Sequence, residues 1–342
     1  MLLALLGPHC RFTRMCMTIA QTALERLYGG CDVITARTLG ELRGELDRVQ
    51  RPHVLLHADT PDAGMCEMLL RSDASYLVVT TDPANVVRDL MAERRLDVCA
   101  AIRAASLSFS SLHDIALKPR AIVVRRMGYE YNVEAIVREI LRAVGRFPDA
   151  QQIDALLAAL FPDGQIDGVW SVTRILDSHF AVLPIESMQR LLDWNEVSLV
   201  DNVLGDFAQL GSHPFRRAFW PPAMFLSSDT NGGLLPKQVD LVGPFRCPVY
   251  GPYVHLPNGT WAGQCHLRVW DNAGRVNYRL DVYSNAAHFE GDLTLPVSGS
   301  LDCDFRFSTQ DPKGAMQVRL IQIQSAIEGH MEFQGVDLVR AD

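Results

Sequence analysis

No stretch of the 342-residue sequence offers the ~20 consecutive apolar residues that a membrane span needs. The apolar start, Met1–Leu6, is short and has no basic lead-in, so neither a transmembrane segment nor a secretory signal is expected. There is no CxxC pair among the eight cysteines (Cys10, Cys16, Cys31, Cys66, Cys99, Cys247, Cys265 and Cys303), which counts against a zinc site. The ten histidines are dispersed and no catalytic metal is expected of them; the absence of a GxSxG elbow removes the usual serine-hydrolase signature. Positive charge is not in excess either. Lys and Arg number 32 against 40 Asp and Glu, a net charge of -8, which argues against nucleic acid held by counterion release. Internal repeats and low-complexity tracts are missing.

What is present is globular. Hydrophobic residues make up 48% and charged residues 21%, and the length exceeds one ordinary core, so two domains are expected. The cysteines sit beside apolar neighbours, as reduced core thiols do, which fits a cytoplasmic protein.

Over 1–162, Leu2–Leu6, Val33–Thr35, Val54–His57, Tyr76–Thr80 and Ala121–Val124 read as short buried strands bounded by breakers. Helices fit between them. Thr38 with Glu41 makes a capping box before Leu39, Leu42 and Leu46, and Asp82-Pro83 is an N-cap followed by proline, opening Ala84–Arg95. Val133, Ile136, Val137, Ile140, Leu141 and Val144 form one stripe, stopped by Gly145. Alternation of this kind predicts an α/β domain with a parallel sheet covered on both faces.

Residues 163–238 are of mixed character, with Pro184, Pro221-Pro222, Asn231-Gly232-Gly233 and a helical stretch around Ile185–Trp194. Trp170, Trp194, Phe215, Phe219 and Trp220 are too many aromatics for a solvated linker, so this segment is expected to pack against one or both domains. Over 239–342 the period changes to two. Cys265, Leu267 and Val269 alternate with polar partners; Val276 to Val282, Leu301 to Phe307 and Met316 to Leu320 do the same. With turns at Asn272-Ala273-Gly274 and Pro296–Gly299, this predicts an all-β antiparallel sandwich of about eight strands, jelly-roll-like. Pro257-Asn258-Gly259 reads as a tight turn, after which Thr260 starts a strand running back from Val254–Leu256.

The first strand leads through Gly7-Pro8-His9-Cys10-Arg11-Phe12-Thr13-Arg14 into a helix, a strand–loop–helix start that can cradle phosphate or serve as an ordinary first turn. This loop resembles the sulfotransferase phosphosulfate-binding loop, whose pattern runs Gly, two residues, a basic residue, Ser, Gly, Thr and Ser or Thr. His57 in Val54–Pro61 resembles that family's histidine-bearing strand end, and Tyr76–Arg95 its segment for the nucleotide 3′-phosphate. Tyr129-Glu130, the Val133–Val144 helix and the Pro148–Leu160 helix resemble the close of the domain. The likeness spans about Met1–Pro162 and implies a P-loop fold with the activated-sulfate donor PAPS as cofactor, Arg11, Thr13 and Arg14 on its anion, and His57 as general base.

Departures from the family pattern weigh against transfer. Cys10, Arg11 and Phe12 stand where the family has its basic residue, Ser and Gly, and only Thr13 survives in place. A side chain at position 12 obstructs close approach of backbone amides to a phosphate. Thr81 and Asp89 occupy the positions of the family's arginine and serine for the 3′-phosphate, where a carboxylate repels. The expectation is a sulfotransferase-like fold that no longer transfers sulfate and holds no cofactor, with His57 as either a residual base or a histidine closing a strand.

In the last hundred residues, Asp240–Pro244 and Tyr250–Trp261 carry the most distinctive local sequence. That stretch resembles a β-sandwich module found beside bacterial glycosyltransferases and other polysaccharide-synthesis domains, and carbohydrate-binding modules in layout. Sugar binding needs flat aromatic faces flanked by polar groups, and Trp261, Trp270, Tyr250, Tyr253, Tyr283 and Phe289 are available, with Tyr278 assigned to the core. Trp270, Arg268 and His266 form one row facing away from Cys265, Leu267 and Val269. That row meets a glycan, the middle segment or a second subunit of a homo-oligomer. Asp302 with Asp304, and Asp281 with Glu290, fit either calcium or a solvated face. The resemblances together imply a non-catalytic accessory or scaffold protein of bacterial polysaccharide synthesis, with a polysaccharide or proteins of such a complex as partners. The alternative is an active transferase with a nucleotide-activated donor and a carbohydrate acceptor.

Overall fold

The computed structural model describes residues 1–126, 132–166, 168–181 and 192–341. The chain forms two compact units, Met1–Asp193 with Phe207–Pro214, and Trp194–Asp206 with Phe215–Asp342. The 163–238 segment is thus shared between the units rather than standing alone. Pro184 and most of the expected Ile185–Trp194 helix lie outside the described residues, as does Tyr129-Glu130.

The first unit runs β1 (Leu2–Leu6), α1 (Arg11–Tyr28), β2 (Asp32–Thr35), α2 (Leu39–Leu46), β3 (Val54–Ala58), α3 (Ala63–Arg71), β4 (Ser75–Thr80), α4 (Pro83–Arg94), α5 (Val98–Ala116), β5 (Ile122–Arg125), α6 (Val133–Ala143), α7 (Ala150–Leu160), a two-residue-per-strand hairpin of β6 (Gln165–Ile166) and β7 (Val169–Trp170), and α8 (Val172–His179). Strands β1 to β5 form one parallel sheet in the order β2-β3-β1-β4-β5. The expected strands all appear, their ends shifted by a residue at most. Leu3 to Leu6, Leu55, Leu56 and Leu77 to Val79 are buried, as continuous apolar runs demand when helices cover both sheet faces.

Local chemistry sets the helix starts. Thr38 accepts the Glu41 amide at 3.1 Å, but the Glu41 carboxylate takes the Arg37 amide at 2.7 Å, so the return half of the box reaches one residue further back. Asp82 accepts the Ala84 amide at 2.8 Å with Pro83 in the first turn. In α6, Val133, Ile136, Val137, Ile140 and Leu141 are the buried face, and Gly145 follows with φ 71°. Pattern reading assigns nothing to α5, whose buried side includes Ser106, Ser108, Ser110, Ser111 and His113. Those polar residues interrupt the apolar stripe by which a buried helix is recognised.

The second unit opens with α9 (Trp194–Leu204) and continues through β8 (Arg217–Trp220), β9 (Leu226–Ser227), β10 (Gly233–Leu234), β11 (Val239–Asp240), β12 (Arg246–His255), β13 (Gly259–Trp270), β14 (Asn277–Tyr283), β15 (Ala287–Thr294), β16 (Gly299–Thr309), β17 (Ala315–Gln322) and β18 (His330–Arg340). Two antiparallel sheets result. One has the order β10-β9-β12-β17-β14-β15; the other has β11-β18-β13-β16, with β8 also on β18. Of the seven long strands, only β14 and β15 are sequence neighbours that pair; the others switch sheet at each connection. The Pro257-Asn258-Gly259 turn is therefore no hairpin turn. It carries the chain from β12 in one sheet to β13 in the other, where β13 pairs with β16 and β18. Switching sheets at the turn lets Val254 and Leu256 before it and Trp261, Cys265 and Leu267 after it all point inward.

β18 departs from period two. Met331 and Phe333 are buried, then Val336 and Leu338, because the pairing shifts by one residue opposite His266 and Leu267. Gly335 sits at this bulge with φ 119°, and a Cβ there would meet the Phe219 ring at 2.7 Å and the Trp220 carbonyl oxygen at 2.8 Å. The glycine keeps both halves of the strand facing the core.

Candidate functional site

In an open parallel sheet, ligands bind beyond the carboxyl ends of the strands, where neighbouring connections diverge. Here the chain leaves central β1 for β2 on one side and crosses from β3 to β4 on the other, so that place lies at the Gly7–Cys10 loop. The α1 N-terminus in this loop already has an anion: the protein's own. The Asp89 carboxylate, from α4, accepts the Arg11 backbone N–H at 2.8 Å and the Arg11 Nε at 2.9 Å. Both side chains are buried, 8% and 7% exposed. Asp177 on α8 adds a longer contact to Arg11 at 3.4 Å. A carboxylate at a helix N-terminus satisfies an orphan N–H and the macrodipole together.

The next helical turn repeats the arrangement. Glu93, four residues beyond Asp89 on the same helix, takes Arg14 at 2.6 Å and His9 at 2.7 Å. Burial raises the Glu93 pKa, but the bonds from His9 and Arg14 outweigh it and hold the carboxyl below its ordinary range. Thr13 is buried, its hydroxyl 3.4 Å from the Cys10 sulfur. The Cys10 thiol is pushed up to about 11 by burial and by Asp89, so it is neutral rather than nucleophilic. Phe12 is 1% exposed, its ring part of the core. Asp89, expected at a separate 3′-phosphate position, instead reaches the first loop, and Thr81 accepts from Asn85 at 3.3 Å.

His57 stands at the end of β3, opposite Leu5 of β1. Its Nε2 is buried without a hydrogen-bond partner among the described residues, and burial lowers its pKa, leaving the ring neutral. His53 lies four residues earlier, but the intervening chain is strand and its ring stacks on Tyr28 with centroids 4.2 Å apart. Near Asp89, Arg126 donates to Thr173 Oγ1 at 3.3 Å; its pKa is lowered by burial and by the charges of Arg88 and Arg11. Sequence reading missed Arg88 and Arg126 because they belong to different elements that only the fold brings together.

In the second unit, the row from β13 does face outward: Arg268 is exposed, and His266 and Trp270 are half-buried. His266 bonds two carboxylates, Asp302 at 2.8 Å through Nδ1 and Asp337 at 2.9 Å through Nε2. Burial works against its charge, yet the two hydrogen bonds prevail and raise its pKa. Both ring nitrogens donate in that state, so His266 has no donor left for a ligand. Trp270 lies 5.8 Å from the His330 ring. Trp261 differs from the other candidates. Its ring is 0% exposed, edge-on to Phe215, with Nε1 bonded to Thr309 at 3.2 Å, and offers no face to a sugar. The strand parity that makes Trp270 outward makes Trp261 inward.

The other sheet has its own aromatic and polar patch. Arg319 forks onto Asp281 at 2.7 and 2.5 Å, and the Tyr283 ring centre lies 4.2 Å from the guanidinium. Tyr250 stands opposite Arg319 across the strands, with Tyr253 edge-on at 6.4 Å. Asp281 is thus spent on Arg319, and Asp302 and Asp304 bond His266 and Gln264. Among the described residues, no three His, Cys, Asp or Glu side chains converge as a metal site would require.

No family model matches the chain, and no curated protein does. Solved structures similar to it include the C-terminal family 6 carbohydrate-binding module of LamC, a marine laminarinase from Zobellia galactanivorans, at 12% identity over 36% of this chain and 99% of that one, with a TM-score of 0.24. A family 36 module of a xylanase from the hindgut metagenome of Trinervitermes trinervoides is 10% identical over 37% and 98%, with a TM-score of 0.26. The K1 cleaved adhesin domain of Lys-gingipain from Porphyromonas gingivalis W83 is 14% identical over 37% and 99%, with a TM-score of 0.25. At such values these likenesses carry no argument about function.

Proposed function

We propose that the chain is a non-catalytic accessory protein of polysaccharide synthesis or assembly, in which the antiparallel unit recognises glycan and the parallel unit has lost sulfate transfer. The observation that carries this reading is the Asp89 carboxylate on the Arg11 amide. It fills with a fixed negative charge the helix N-terminus at which a donor phosphate would sit. Arg14, the second cation of the loop, is likewise compensated by Glu93, and the His57 Nε2 is sealed from any acceptor hydroxyl. For glycan, exposed Arg268 beside half-buried Trp270 supplies an aromatic face with a polar neighbour, and the Tyr250–Tyr283–Arg319 patch supplies another.

Titration calorimetry with adenosine 3′,5′-bisphosphate tests the first half. No heat at millimolar ligand is expected, and micromolar binding would overturn it. A glycan array on the wild type and Trp270→Ala tests the second: loss of signal in the variant supports it, and no signal from the wild type leaves a protein-only scaffold. One observation favours the rival, an active transferase using PAPS. Arg88 and Arg126 add positive charge around Asp89, and a bisphosphate titration weakened by Arg126→Gln would identify that site.

A further inference from the structure

We infer that a trough on the first unit, at the C-terminal ends of α1 and α6, binds a single-chain amphiphile with an anionic head, a long-chain carboxylate. The trough has a volume of about 670 Å³ and is lined by Leu27, Leu141, Leu156 and Phe147, with Arg26 and Arg146. That volume suits a small-molecule ligand. It lies at the far end of α1 from Arg11, roughly 20 Å along the helix at 1.5 Å per residue, so it is independent of the loop that Asp89 fills.

Two features point to this ligand. Phe147 is 85% exposed and Leu27 is 38% exposed, so two large apolar side chains meet water at the same trough. Both arginines are exposed, and among the described residues neither forms an ion pair; Arg146 lies 6.0 Å from the Tyr28 ring, and Arg26 sits in the last turn of α1. A nearby acid, Asp149, is occupied in capping α7 through the Gln152 amide at 2.8 Å. A neutral apolar ligand leaves the two guanidiniums without a counter-charge, and a compact anion leaves Phe147 and Leu27 in water. A carboxylate on a hydrocarbon chain answers both.

The probe is dodecanoate below its micelle-forming concentration, titrated calorimetrically into the full chain, with dodecanol and acetate as neutral-head and tail-less controls. Saturable one-to-one binding, weakened about tenfold or more in Arg26→Gln/Arg146→Gln and absent in Ala155→Trp, supports the site. Circular dichroism confirms that each variant folds, and the arginine pair is exposed enough to keep the test alive should the tryptophan variant fail. The proposal is overturned by no binding of dodecanoate, equal binding of dodecanol, or binding unmoved by the arginine changes. A concentration-dependent dimer in sedimentation that Phe147→Ser disperses also overturns it, since the trough then belongs to a second copy.

Discussion

Replacing Asp89 with asparagine tests whether an internal carboxylate holds the α1 N-terminus. The native carboxylate takes one backbone and one guanidinium N–H at 2.8 and 2.9 Å, between side chains that are nearly sealed from water. Removing one partner of such a pair costs ~3–5 kcal/mol, because the other charge is left buried and uncompensated. Asparagine retains one acceptor oxygen but turns its amide against a cation or the helix end, so about 3 kcal/mol is expected. Urea unfolding followed by far-UV circular dichroism reads this directly, since α1 to α8 all belong to the first unit. Arg11→Met removes the guanidinium while leaving Asp89 its helix amide, and the double variant is expected to lose about 2 kcal/mol less than the sum of the singles. A loss below ~1 kcal/mol for Asp89→Asn, or additive singles, would refute the pairing as a stabilising element. Millimolar sulfate is further expected to raise the melting temperature of Asp89→Asn more than that of the wild type, because a free anion can replace the lost one.

Other expectations follow from the second unit. Gly335→Ala combines positive φ with a Cβ pressed on Phe219 and the Trp220 carbonyl, and is expected to cost about 3 kcal/mol in chemical denaturation, whereas Ala at the open, exposed Gly274 is expected to be nearly neutral. His266 has a folded pKa above its unfolded value near ~6.5. Its contribution is therefore complete below that value and fades as pH rises through the raised folded pKa. Compared with His266→Gln, the wild type should be about 1 kcal/mol more stable at mildly acid pH and lose that margin at alkaline pH; a margin that grows with pH refutes the pair of hydrogen bonds to Asp302 and Asp337.

Strand and helix order, and which half is parallel and which antiparallel, are legible in the sequence because burial imposes its period locally. Leu2–Leu6 reads as a two-face-buried strand, and the Val133 to Leu141 stripe as a helix, from a few adjacent residues. The same parity separates outward Trp270 from inward Val269, and it places Trp261 in the core when carried nine residues back along β13. A serine-rich helix such as α5 escapes this reading, and so does the one-residue slip at Gly335.

The candidate loop is a different matter. Its residues could be quoted from the sequence, but not what neutralises them, because Arg11 and Asp89 lie far apart in the chain, 78 positions, and Arg14 and Glu93 are separated just as widely. Charge at position 89 is visible in the chain; whether it repels a ligand or replaces one depends on where α4 lies beside α1. Periodicity fixes which way a side chain faces within its own element. Only packing of elements distant in sequence determines which charge it meets, and at this loop that encounter fills the helix end from within.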